Sequence, residues 1–437
     1  MFNDYPVNGV FPQEWKVARL VLIPKDQKGS SNKKKFRPIC MLSFLGKVFE
    51  RMLHQRIAQE VTLSDNQFGF RRGLSTNDAI ERVKTKIKEL RQMDPTKPLA
   101  FISLDIKNAF NSISWADLIS SLKEKGVSNY LINIMQNYLT DRYIVIDDLT
   151  LEVSSGLPQG SILGPLCWNV AYDKVVNLIT EPASSKTAFA DDLGVIVSGN
   201  NSWDLKKASG KVTKQIGDVL REKDLTLEPA KSEALIFGNL YKISSVLVDD
   251  VRIRSSELLK YLGVWLSRKD LNFDSHIKLA CEKAQKNIRS LSCLMPLSKG
   301  PSFLRKKLIF SSVLSALLYG LPTWHHDAKK RGNIRLIEKT LRPMKLRLCS
   351  AYRTVSERCL EVISGFPPIQ LMIEERLRRH EKQENFTEIK QDIVHQWCDL
   401  WLSSSPSKDV WFKKLVPNIE EWIYRSNKKE TDFFLTQ

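Results

Sequence analysis

TAFADDLGVIV, residues 187–197, reads as two short apolar strands that turn at Asp191 and Asp192. Adjacent carboxylates repel each other, so a pair at the tip of an apolar hairpin is costly unless a cation neutralises it. The plain alternative is a β-turn, where Asp is common. Asp147-Asp148 places the same dipeptide between two alternating segments, and no chemistry is assigned to it. What separates the two cases is Asp105, which follows the apolar run LAFISL (99–104) and precedes Asp191 by 86 residues. Two strand ends lying side by side would bring three carboxylates to one spot, a hard oxygen site suited to two Mg2+ ions roughly 4 Å apart.

The segments around this hairpin have clear periods. VARLVLIP (17–24) and 36–41 read as the arms of a hairpin across a basic turn, QKGSSNKKK. Helical patterns follow at 45–57 and 78–90, with Ser75 or Thr76 as cap of the second, and QFGFRRG lies between them. After Asp105, Ser114 and Ser128 cap two helices; 143–146 and 149–153 alternate as a hairpin; an apolar helix runs from Gly160 towards Ile179. An amphipathic helix over 203–222 and the loop and strand of LTLEPAKSEALIFG complete a core over 99–238. Its order, β-αα-ββ-α-β-β-α-β, predicts an α+β fold with helices packed on one side of a mainly antiparallel sheet.

Of the 437 residues, 42% are hydrophobic and 27% charged, so the chain forms cores, and its length asks for more than one. The formal net charge of +18 favours a polyanionic partner. That charge is unevenly placed: residues 276–350 hold sixteen Lys or Arg against three acids, whereas 100–200 hold six against eleven. Carboxylates in the middle with basic walls on either side suit an enzyme that holds metal ions and grips a phosphate backbone. Seven cysteines, none in a C-x-x-C pair, argue for a reducing compartment, nucleus or cytoplasm, and the N-terminus shows no secretion signal. Residues 308–326 are uncharged for the length of a membrane span, but recurring serines, Gly320 and Pro322 favour a buried helix.

GLPQGS (156–161) adds a glycine- and proline-rich turn that lets backbone approach a ligand, with a Gln able to hydrogen-bond a sugar or phosphate. In this setting LDIKNAF (104–110), GLPQGSILGP (156–165), FADD (189–192), LEPAKSE (227–233) and KYLGVWL (260–266) resemble, in order, the palm motifs of reverse transcriptases. IPK (23–25), FRPI (36–39) and QFGFRRGLSTNDAI (67–80) look like the fingers motifs of non-LTR retrotransposon enzymes, the Jockey-like group in particular. AYRTVSERCLEVISGFPPI (351–369) is similar to the segment such enzymes carry after the thumb.

The resemblance implies a right-hand polymerase: fingers over 1–98, an antiparallel-sheet palm over 99–266, a basic helical thumb over 267–350 and a helical extension over 351–437. It implies an RNA-directed DNA polymerase adding dNTPs to a DNA primer on an RNA template, with two Mg2+ ions that Mn2+ can replace. Asp105 and Asp191 would hold the metals with Asp192 beside them, and Lys231 would protonate the leaving pyrophosphate. Lys25 and Arg37 would hold the triphosphate, Phe110 would exclude a ribose 2′-OH, and Gln159 would contact the incoming nucleotide. Arg71 would touch template or phosphate, Leu262 and Gly263 lie in the primer-grip motif, and Lys283, Lys286 and Arg289 would grip the duplex. No membrane partner is expected, and no protein partner is inferred. Phe110 argues against rNTP use and hence against an RNA-directed RNA polymerase. The other alternative is a catalytically inactive remnant that binds RNA or an RNA–DNA duplex. Phe189 stands where Tyr is usual, and no endonuclease, RNase H or Cys/His-knuckle pattern is seen, so a fragment of a longer polyprotein is expected.

Overall fold

The computed structural model describes residues 9–24, 36–238, 245–269, 271–296, 300–381, 385–403 and 410–424. The chain divides into two compact units, one ending at Leu262 and the other starting at Gly263.

The first unit is built around a four-stranded antiparallel sheet. Its strands are β3 (Leu99–Leu104), β6 (Ser185–Phe189), β7 (Asp192–Ser198) and β8 (Glu233–Phe237), in the order β6-β7-β3-β8. β3 is apolar except at Ser103 because it is central and covered on both faces, and only Ser103 is partly exposed. Register sets the chemistry. Leu104 pairs with Leu193 and Phe189 with Asp192, so Asp105 and the Asp191-Asp192 turn leave the sheet at the same end. The helix Ser202–Arg221 packs its buried stripe of Leu205, Val212, Ile216 and Leu220 on this sheet, and the buried helix Gly164–Val176 covers β6.

A second four-stranded sheet corrects the expected core. β1 (Val17–Pro24) and β2 (Phe36–Met41) form the anticipated hairpin, but β4 (Arg142–Ile146) and β5 (Leu149–Val153) join them in the order β2-β1-β4-β5. β1 and β4 pair in parallel, Val17 opposite Tyr143 and Arg19 opposite Val145. The hairpin 142–153 is therefore no part of the carboxylate-bearing sheet. Its turn is local chemistry: Asp147 takes a left-handed φ of 50°, which a short polar side chain tolerates.

The second unit is mainly helical. Helix Asp274–Leu291 buries His276, Ile277, Cys281, Ala284 and Ile288 against the helices Phe303–Leu317 and Arg331–Cys349. The long uncharged stretch is two helices, Phe303–Leu317 and Leu321–Ala328, bent by 85° at Gly320 (φ 72°). Among the described residues no single helix is long and apolar enough to cross a membrane; only this bent pair reaches the length and composition. The buried Lys345 pairs with Glu357 (2.6 Å) and Glu361 (3.4 Å), and burial pushes the Glu361 carboxyl up to about 7.

His276 gives the second unit a pH signature. It is buried, its Nδ1 accepts from the Trp265 N–H (3.2 Å), and burial lowers its pKa to about 4 from the usual 6.5. The folded state excludes a proton that the unfolded chain takes up, so this contribution to stability is present above pH 6.5 and is lost as pH falls towards 4. Between pH 7 and pH 5 the loss should be about 2 kcal/mol. His276→Asn keeps an acceptor without a titrating group. Urea unfolding should therefore show a smaller acid shift for the variant, and equal shifts would remove His276 as its cause.

Candidate active site

Asp105 leaves β3 and is held from behind by the segment that follows the long helix. The Glu228 N–H donates to the Asp105 carbonyl (2.8 Å), the Lys107 N–H to the Thr226 carbonyl (2.9 Å). This clamp places the short turn Pro229–Lys231 beside the carboxylate. The Lys231 ammonium donates to Asp105 Oδ2 (3.2 Å) and to Glu228, and the Glu228 bond, with Asp105 adding to it, raises the lysine's pKa.

The Asp191-Asp192 turn is held by three neighbours. Ala190, at the corner, has a left-handed φ of 56°, and its carbonyl accepts the buried Trp168 indole N–H (2.9 Å). QFGF docks along β6 through Phe68 N–H to the Ala188 carbonyl and Ala188 N–H to the Asn66 carbonyl, both 2.8 Å. There Gly69 lies so close that an added Cβ would fall 2.1 Å from the Ala190 nitrogen, so only glycine fits. The next residue, Phe70, has φ 57°, a region that costs an L-residue roughly 1–2 kcal/mol. The buried Asn169 side chain donates to the Gly69 carbonyl (2.9 Å), fixing the same contact.

The GLPQG turn is registered on β2. The Cys40 N–H donates to the Gln159 carbonyl (2.8 Å), and at Gly160 (φ 122°) a Cβ would meet the Cys40 carbonyl at 2.6 Å. Behind it, the buried Glu50 accepts from the Ile162 N–H (2.5 Å) and the Tyr138 hydroxyl (2.9 Å). Burial raises the Glu50 pKa while these donors oppose it. Sequence reading missed Glu50, although an acid on the apolar stripe of Phe49, Leu53 and Ile57 was a visible signal. It also missed Asp173, itself buried, paired with the half-buried Lys125 and accepting from the Ser64 N–H (2.7 Å) and the Asn177 amide (2.8 Å).

These elements enclose a cavity of about 590 Å3 whose walls include Arg37, Phe70, Asp105, Phe110, Gln159, Asp191 and Lys231. Phe110 stacks on Trp168 (5.1 Å, 22°) and meets Phe70 edge-on (5.8 Å, 87°). Gln159 reaches Asn111 (3.5 Å). Asp192 is just outside the lining; although exposed to solvent, it is crowded enough by protein that lost hydration, then Asp191 and Asp105, push its pKa up to about 6. Among the described residues no three His, Cys, Asp or Glu side chains form a ready metal shell. The donor chemistry does fit hard divalent cations: carboxylate oxygens only, their mutual repulsion opposed by the Lys231 ammonium. A smaller cavity of about 270 Å3 behind the GLPQG turn has no carboxylate in its wall.

Among the described residues, the other candidates are not in the wall of this cavity. Lys25 falls outside the described residues. One guanidinium nitrogen of Arg71 donates to the Ser64 (2.6 Å) and Gln67 (3.1 Å) carbonyls, so in this structure the side chain clamps its own loop. Leu262 and Gly263 are consecutive left-handed residues at the boundary of the two units. Lys283, Lys286 and Arg289 are exposed on their helix while the apolar stripe is buried.

Known proteins resemble this chain in sequence. Over 371 residues the chain is 26% identical to the putative 115 kDa protein in the type-1 retrotransposable element R1DM of Drosophila melanogaster, covering 83% of the chain and 36% of that protein. It is 27% identical to the RNA-directed DNA polymerase from mobile element jockey of the same organism, over 78% of the chain and 39% of that protein. The chain thus spans less than half the length of these relatives. A looser likeness, TM-score 0.46 at 14% identity, over 90% of this chain and 67% of the other, is to a telomerase of Candida tropicalis solved with a fragment of telomeric RNA. Residues 23–266 match a family description that takes in every wall of the carboxylate cavity from Arg37 to Lys231, and by that match the chain belongs to the reverse transcriptase (RNA-dependent DNA polymerase) family.

Proposed function

We propose that this chain is the polymerising part of an RNA-directed DNA polymerase, working in the nucleus or cytoplasm on an RNA template and a DNA primer. The observation that carries the reading is the single cavity that brings Asp105, Asp191 and Lys231 together with Arg37, Phe110 and Gln159. In the reaction the primer 3′ oxygen bonds to the α-phosphorus of a dNTP, the bond to the β-phosphate oxygen breaks, and pyrophosphate leaves. Enzymes of this family use divalent metal ions; two Mg2+ held by Asp105 and Asp191, with Asp192 beside them, would supply charge stabilisation at the reacting phosphate.

The remaining roles belong to the chain's own side chains. Arg37, exposed on β2, faces the triphosphate. Gln159 is held by its backbone bond to β2 and orients the nucleotide. Lys231 keeps a proton ready next to Asp105 for the departing pyrophosphate. Extending oligo(dT) on poly(rA) with Mg2+ tests the reading, and no incorporation by the parental chain would reject it. We assign 1–98 to fingers, 99–266 to palm, 267–350 to thumb and 351–437 to the extension.

Two further results are expected. Phe110→Ala opens space at the nucleotide's 2′ position and should relax the preference for dNTP over rNTP about 10- to 100-fold. An unchanged ratio in single-nucleotide incorporation would make Phe110 only a packing residue. Replacing Lys283, Lys286 and Arg289 with Gln removes three exposed cations from a helix whose packing face is untouched. The log-log salt slope of binding to an RNA–DNA duplex should flatten by about 2 to 3. An unaltered slope would take this helix out of the nucleic-acid path.

A further inference from the structure

We propose that Phe70 is a positioning residue for sugar selection: it holds the Phe110 ring edge-on and so sets how closely that ring meets the nucleotide's 2′ carbon. The inference rests on reading the carboxylate cavity as the nucleotide site.

Phe110 has two aromatic neighbours of different character. Trp168 is fully buried, stacked on Phe110 and on Tyr172, with its indole N–H committed to the Ala190 carbonyl. That side cannot give. Phe70 stands on the cavity wall, 51% exposed, with its ring perpendicular to Phe110. Edge-to-face contact is the favoured geometry for two rings and resists tilting of either.

The backbone supports a selected role for this ring. Phe70 has a left-handed φ of 57°, a conformation that suits glycine and is a clear outlier for an aromatic residue. Such outliers persist where the surrounding structure over-determines them, and they gather at ligand sites. Here the determinant is Gly69, wedged on the Ala190 backbone and bonded to Asn169, one residue from the carboxylate turn. The position of the Phe70 ring is therefore coupled to the turn that carries Asp191. A ring that served only solubility or loop closure would need neither the strain nor the contact.

The test compares equilibrium binding of dATP and ATP, with Mg2+, on a primer-template whose primer lacks its 3′-OH, so that no chemistry intervenes. Phe70→Gly relieves the backbone strain and removes the ring. Its thermal stability should hold or rise while the dATP:ATP affinity ratio falls about three- to tenfold. Phe70→Trp keeps a ring and should stay near the parental ratio. In a Phe110→Ala background, Phe70→Gly should change the ratio no further, because its route of action is gone. If the parental protein discriminates and Phe70→Gly discriminates equally well, the proposal is overturned alone. An equal further loss in the Phe110→Ala background also overturns it, since Phe70 would then act directly on the nucleotide. If the parental protein binds neither nucleotide, the reading of the cavity fails and the proposal with it.

Discussion

Asp191→Asn is expected to lower nucleotide incorporation at least about a thousandfold, because the proposed mechanism rests several kcal/mol of charge stabilisation at the reacting phosphate on carboxylates that would hold metal. Asn has the same shape, so the turn on Ala190 and its bond to Trp168 should persist. Binding to an RNA–DNA duplex should stay within about twofold, since phosphate contacts dominate that affinity and no basic side chain has changed. Asp147→Asn provides the control: the same chemistry at an exposed hairpin tip, where Asn also tolerates the left-handed backbone, should leave activity intact. Primer extension under saturating nucleotide measures both, and near-parental activity of Asp191→Asn would refute the metal assignment.

The second large effect is expected from a residue that bears no chemistry. In Gly69→Ala the new Cβ meets the Ala190 nitrogen at 2.1 Å, with Ala190 Cα and the Phe189 carbonyl carbon at 2.9 Å. All three are backbone atoms and none can rotate away, so either QFGF lifts off or the carboxylate turn shifts. Overpacking of this kind costs about 1–3 kcal/mol in stability. A displacement approaching 1 Å at the carboxylates should cost about a hundredfold in rate. Gly332→Ala, where nothing lies within 4 Å of the added carbon, should be neutral or slightly stabilising. A Gly69→Ala protein as active as the parent would mean that the close approach does not position the turn.

Periodicity made most of the elements legible, and the site was legible where chemistry is unusual for its setting. Two acids at an apolar tip and a third at the end of an apolar strand have few structural uses, so Asp105, Asp191 and Asp192 stood out, and register then places them at one sheet end. Lys231 was found only by the family motif, because a loop lysine is ordinary without it; the turn of Gln159 was legible as a candidate ligand contact, and only the motif made that ligand a nucleotide. Pairing of the 142–153 hairpin was not legible. Alternation shows that two strands form but not which third strand they join, and the partner is β1, far away in sequence. The loop contacts of Arg71 were not legible for a related reason: a guanidinium serves phosphates and backbone carbonyls equally well, and only the folded loop shows that it also bonds the Ser64 and Gln67 carbonyls. Glu50 and Asp173 were passed over because burial reverses their meaning, turning solvated acids into anchors for backbone N–H groups.

The parallel pairing of β1 with β4 also sets an order of events during synthesis. Arg19 and its partner Val145 are 126 residues apart, so at roughly 5–20 residues per second the ribosome makes β1 some 6 to 25 s before β4 exists. For that interval the β1–β2 hairpin is a nascent ribbon with an unsatisfied edge and with Val17, Val21, Leu22 and Ile23 open to water even in the finished fold. A chaperone that shields this edge should raise the soluble yield more than one acting after release. A silent change that slows translation between residues 41 and 142 should lower it, without altering a single atom of the mature protein.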